Sequence, residues 1–121
     1  KVKKQVLDIS KAVAKAVEKG KKKPKTKKKN VHHIIARTAG RARLAQHVWT
    51  IELRESINSS RNLVPINQNF HQHLHNIIYY DSVNCIIGMA YYKNGLMDKR
   101  KRVYADLSVI KTFLLSVSRK F

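Results

Sequence analysis

The sequence has a single cysteine, Cys85, in 121 residues. One cysteine closes no internal disulfide and builds no four-cysteine zinc site, so neither of those staples holds the chain. Long apolar runs are also missing. The best candidates, residues 85–90 and 109–117, are short and interrupted, well below the ~20 residues of a membrane span. No apolar core of a signal peptide is visible near the N-terminus. Acids are scarce: 7 Asp and Glu stand against 26 Lys and Arg, a formal charge of +19. Self-repulsion of that size calls for an anionic partner. The apolar share of 43% is that of an ordinary globular chain, which argues against wholesale disorder. The length allows one domain. The chain opens on Lys1 without a Met and is expected to be part of something longer.

The positive charge has two parts. Residues 1–30 carry thirteen lysines, no arginine and two acids, for +11; residues 31–121 carry eight arginines, five lysines and five acids, for +8. Val6, Ile9, Val13 and Val17 recur at helical spacing and predict a helix over Gln5 to Lys19, with Gly20 as its stop. Lys21 to Lys29 holds seven lysines around Pro24. It cannot bury apolar surface and is expected to be solvated, as a phosphate-seeking arm or as a linker to an upstream domain. The expected organisation is a basic helix and Lys-rich linker over 1–30, followed by the functional domain over 31–121.

Beyond Asn30 the character changes. Val31 to Ala36 is short and β-branched and predicts a strand. Arg41 to about Arg54 predicts a helix: Leu44, Val48, Ile51 and Glu55 follow the helical period, and Gly40 marks its start. Asn58 to Ser60 reads as a turn. Leu63 to Ile66 predicts a second strand, ending near Pro65. Phe70 to about Tyr92 predicts one or two helices, closed by Asn94-Gly95. Lys101 to Val117 predicts a last helix, with Val103, Leu107, Ile110, Leu114 and Val117 on one face. Trp49, Tyr79, Tyr80, Tyr91 and Tyr92 are expected in the core rather than stacked on bases.

Five of the six histidines form two clusters, His32-His33 and His71, His73, His75. His71 and His75 are four apart on an expected helix, which puts both imidazoles on one face, one turn apart. An HxxxH pair of this kind can chelate a metal, with His73 pointing elsewhere. His32 and His33 are neighbours on an expected strand, so their side chains point to opposite faces. That suits a division of labour in which one is a ligand and the other a base. Each cluster alone is better explained by ordinary surface or half-buried imidazoles.

Taken together, with Asn62-Leu63-Val64-Pro65 between them, the clusters resemble the HNH, or ββα-metal, nuclease motif. Within it, Val31-His32-His33-Ile34-Ile35-Ala36, then Ala39, Arg41 to Leu44, Leu74-His75, Tyr79-Tyr80 and Val83, are most similar to the toxin-type branch named for an Ala-His-His start. Val31 replaces the leading Ala. The resemblance covers residues 31–90. It implies a mostly helical α+β fold: a short two-stranded hairpin and a helix around a metal, with added helices. It implies His32, His71 and His75 as metal ligands, His33 as the general base, and Asn62 as the residue that holds strand and loop. His47 and His73 match nothing. The implied cofactor is one divalent ion, with zinc, nickel, magnesium and manganese the options. Imidazole ligands favour zinc, nickel or copper over a bare magnesium site.

The chemistry is consistent with that implication. An unperturbed imidazole titrates near ~6.5 and serves as a neutral base at physiological pH. Three neutral imidazoles leave a cation's charge uncompensated and a position open. Arg37, Arg41, Arg43 and Arg61 lie near the two strands in sequence and are candidates for phosphate contact, with solvated charge as the alternative. The resemblance implies a metal-dependent endonuclease, DNA favoured over RNA, at the C-terminus of a secreted bacterial competition toxin. Such a domain would be delivered to act in the target-cell cytoplasm, and an acidic immunity protein would hold it in the producer. The alternative is a non-catalytic basic nucleic-acid-binding module, which the charge supports equally well.

Overall fold

The computed structural model describes residues 2–93 and 98–121, with side chains from residue 9 onward. It is mostly helical. Five α-helices and two strands follow one another as α1 (Val2–Lys21), β1 (Lys29–His33), α2 (Arg43–His47), β2 (Leu63–Asn67), α3 (Gln68–Leu74), α4 (Ile77–Tyr92) and α5 (Lys99–Ser118). The strands form a two-stranded antiparallel sheet in which His32 faces Val64 and His33 faces Leu63. The fold is the small α+β architecture expected, with α3 following β2 directly.

α1 does not stand apart from the body. Ile9, Ala12, Val13 and Ala16 are buried in one hydrophobic cluster with Ile34, Ile35, Trp49, Phe70, Ile87, Leu107 and Leu114. The helix packs mainly on α3 and α4. It also runs through Gly20 instead of stopping there. A Cβ at Gly20 would lie 2.9 Å from the Phe121 ring and 3.0 Å from the Asn69 carbonyl, so glycine serves close packing here. The boundary expected after Asn30 thus separates a change in charge, not two cores.

The strands are shifted from their expected limits. β1 starts at Lys29, two residues before the expected Val31, and ends at His33, three before Ala36. β2 continues past Pro65 to Asn67. A two-stranded sheet has two open edges, and a proline whose nitrogen faces the open side removes no ladder bond.

The expected helix over 41–54 breaks into three pieces: a tight turn at Gly40–Ala42, the short α2, and a wide π-type turn at Val48–Glu52. In the wide turn Leu53 N donates to Val48 O, five residues back, at 2.9 Å. The extra residue rotates the inner face. Ala45, Val48, Trp49 and Leu53 are buried, whereas Ile51 is 60% exposed and Leu44 45%. Trp49 Nε1 anchors the new phase by donating to Ser56 O (2.8 Å).

α4 is capped by Asn76, whose side chain accepts from Tyr79 N (2.9 Å), and α5 by Asp98. Val103, Leu107, Ile110 and Leu114 bury the predicted face of α5. The Asn94-Gly95 stop lies outside the described residues. Among the described residues, no helix is long and apolar enough to cross a membrane.

Candidate metal centre

β1, α3 and the residue that follows α3 bring three imidazoles together. His32 comes from the strand and His71 from α3. His75 is the first residue past α3, with non-helical φ −79° and ψ 72°. The pair expected on one helix therefore straddles its end, yet it still converges, with His71 Nε2 and His75 Nε2 2.9 Å apart. The three rings have centroids 4.7–5.4 Å from one another. One nitrogen from each lies within 4.8 Å of the others.

His32 is completely buried, and its tautomer is set by its neighbours. Tyr79 Oη donates to Ile34 O at 3.0 Å, so it must accept from His32 Nε2–H, 2.9 Å away. Burial raises the Tyr79 phenol far above its ordinary value, with Tyr80 adding to the effect, so the hydroxyl keeps its proton. With the proton on Nε2, Nδ1 of His32 carries a lone pair. That atom is buried and has no hydrogen-bond partner. A buried polar atom left unpaired costs about 1–3 kcal/mol, and a cation is the partner a lone pair lacks.

His71 and His75 are held from behind. Asn30 Nδ2 lies 3.1 Å from His71 Nδ1, and His75 Nδ1 lies 3.0 Å from Tyr80 Oη. Asn30 Nδ2 only donates, so His71 Nδ1 accepts from it and His71 Nε2–H donates to His75 Nε2 (2.9 Å); for both Nε2 atoms to bind an ion, the His71 proton moves to Nδ1 and the Asn30 amide turns its Oδ1 toward it. All three groups resist protonation. Burial lowers His32 well below an ordinary imidazole, with His71, His75 and His33 adding repulsion. Burial, then His75 and His33, lower His71 to about 4. His75 is lowered by burial and by His33. Three neutral imidazoles with one orphaned lone pair fit a divalent metal of the zinc or nickel kind.

His33 points away from His32 across the strand, and its Nε2 lies 2.8 Å from Asn58 Oδ1. Because the amide oxygen only accepts, Nε2 carries the proton and Nδ1 is the basic nitrogen. His33, His71 and His75 line one open cleft of about 430 Å³, together with Arg37, Val31 and Tyr80.

Asn62 is fully buried beneath this arrangement. Its Oδ1 accepts from Ile35 N (2.7 Å), and its Nδ2 donates to Ile35 O (3.1 Å) and Ile57 O (2.9 Å). Its backbone carbonyl accepts from Ile34 N (2.9 Å). It touches no solvent, so it positions the end of β1 and does not meet a substrate.

The four arginines separate. Arg37 lines the cleft. Arg41 is paired with Asp81 at 3.0 Å. Arg61 stacks on Tyr104, 3.9 Å from the ring centroid. Arg43 is exposed and is not among the cleft's lining residues. His47 is exposed; neither it nor His73 belongs to the histidine trio. Asn30, Asn58, Tyr79 and Tyr80 contact the site histidines, a role that the sequence reading did not assign to them. Tyr79 lies in the core as expected, and Tyr80 packs against it. Their spacing after His75 was visible, but the partners of their hydroxyls were not.

A family model described as AHH, a nuclease family of the HNH/ENDO VII superfamily with conserved AHH, matches residues 13–114. The chain belongs to that family. The match includes residues 13–21 of α1, consistent with the shared core. No curated protein and no solved structure gave a match.

Proposed function

We propose that this AHH-family nuclease is a divalent-metal-dependent endonuclease in which His32 Nδ1, His71 Nε2 and His75 Nε2 hold the ion and His33 is the general base. The observation that carries the reading is the orphaned lone pair on buried His32 Nδ1, facing two further imidazoles. The ion, when bound, would supply positive charge to the phosphate oxygens and the leaving oxygen.

The chain's own residues account for the remaining roles. Tyr79 fixes the His32 tautomer. Asn58 fixes the His33 tautomer, so that Nδ1 takes a proton from water as that water attacks phosphorus. Asn62 clamps the loop on which His33 depends. Arg37 is the arginine placed to reach a phosphate in the cleft.

DNA is the favoured substrate, because the wider HNH superfamily mostly cleaves DNA. The resemblance to the toxin-type branch supports a role as the nuclease of a secreted competition toxin, delivered to a target-cell cytoplasm. The charge of +19 suits an acidic immunity protein as partner. The experiment is plasmid nicking with and without chelator. Chelator-sensitive nicking is expected, and binding without cleavage at any divalent ion would favour the non-catalytic binding module.

A further inference from the structure

The lysine-rich segment after α1 is exposed, but it is fastened to the body. Lys23 N donates to Gly20 O (3.2 Å), and Gln68 N donates to Lys28 O (2.9 Å). Asn69 Nδ2 donates to Pro24 O (3.0 Å) and Asn67 Nδ2 to Thr26 O (2.9 Å). Lys28 N closes a turn on Thr26 Oγ1 (3.1 Å). A solvated linker would leave these carbonyls to water. Here two asparagine side chains from the β2–α3 junction fix the path of a chain whose charges repel one another.

The fixed path encloses a cavity of about 270 Å³. Lys21, Lys23 and Lys25 line it from one side and Lys120 from the other, with Asn67 and Asn69 between. Among the described residues, no ion pair involves any of these four lysines. Four such lysines line one cavity, which favours an anion there. Lysine acts as a point charge, which suits a phosphate bound for its charge and not for its sequence.

The position of the cavity narrows the ligand. Asn67 caps α3, and His71 lies one helical turn further along it. The loop also leads directly into β1, where Asn30 contacts His71. We infer that this lysine cavity is a second phosphate site, which grips the backbone of the same polynucleotide whose scissile phosphate lies at the histidine cleft. The inference rests on the nuclease reading. It makes the cavity matter for polymers and not for a substrate with one phosphodiester.

The test uses the 121-residue chain in chelator, binding a fluorescent 24-base-pair duplex over a range of salt. Three lysines of the cavity (Lys21, Lys23 and Lys25→Gln) are compared with three on the exposed side of α1 (Lys11, Lys15 and Lys19→Gln), so both variants lose equal charge. The log–log salt slope should fall by roughly 2 units in the cavity variant, at ~0.9 per phosphate contact, and by less than 1 in the other. Lys120→Gln, from a different part of the chain, should lower it by about 1. Equal slopes for the two triple variants, or no change in the cavity variant, would overturn the inference. Hydrolysis of bis(p-nitrophenyl) phosphate with added divalent ion should be the same in all variants. A loss there in the cavity variant would merge the two sites and also overturn it. If the unaltered chain hydrolyses none, the nuclease reading fails, and the slopes still decide whether the cavity binds backbone phosphate.

Discussion

His32 Nε2 and Tyr79 Oη lie 2.9 Å apart in the interior, forty-seven positions apart in sequence. Because the same hydroxyl donates to Ile34 O, the bond has only one direction, and it leaves the His32 lone pair on Nδ1. A tyrosine of α4 thereby decides which atom of a strand histidine can bind a cation.

Tyr79→Phe removes that control with little change in volume. Two buried groups, His32 Nε2–H and Ile34 O, lose their partner, and stability should fall by about 1–3 kcal/mol. Metal affinity should fall ~10–100-fold, as for other changes behind a ligating histidine. Denaturant unfolding and calorimetric metal titration read the two effects. Unchanged metal affinity would remove Tyr79 from the account.

Asn62→Ala should act mainly on the fold. It strips three side-chain bonds from Ile35 and Ile57, two of them fully buried, and should cost roughly 3 kcal/mol. Cleavage should fall with the order of β1, and lower temperature should restore part of both. A stable Asn62→Ala protein that fails to cleave would give Asn62 a direct role in the chemistry.

Much of this site was legible in the sequence because histidine clusters are rare enough to stand out. The α5 face was legible for the same kind of reason: Val103, Leu107, Ile110 and Leu114 keep an unbroken helical period. What escaped depends on contacts at long range. The wide turn at Val48–Glu52, with Trp49 Nε1 bonded to Ser56 O, interrupts the helical period that Ile51 follows in the sequence, and Ile51 ends up exposed. Asn30 was grouped with the lysine arm on charge, although its side chain meets His71. His75 was placed on the helix by spacing, but the Asn76 cap of the next helix ends α3 one residue early.

The metal-free protein should lose stability in acid. His71 titrates at about 4 in the fold, and His32 and His75 are also lowered. The unfolded chain exposes imidazoles near ~6.5. Between those values it binds more protons than the native state, so stability is full above about 6.5 and drains as pH falls toward 4. Thermal unfolding in chelator from pH 7.5 to 5 should show a falling midpoint, and a flat midpoint would contradict the buried neutral trio.

Adding zinc or nickel at neutral pH should raise the unfolding midpoint, since an ion that binds only the native state stabilises by ~2.7 kcal/mol at a hundred times its Kd. His32→Ala should lose most of this rise and His73→Ala none of it. An equal rise in wild type and His32→Ala would place the ion elsewhere.

The most direct test is plasmid cleavage by His33→Ala, measured on protein shown by calorimetry to bind metal as the unaltered chain does. His33 lies outside the histidine trio and lines the cleft, so metal and DNA binding should persist. Cleavage should fall ~10²–10⁴-fold, with no rescue by excess metal. Cleavage at the normal rate would contradict the account, as would loss of metal in His33→Ala while His32→Ala keeps it.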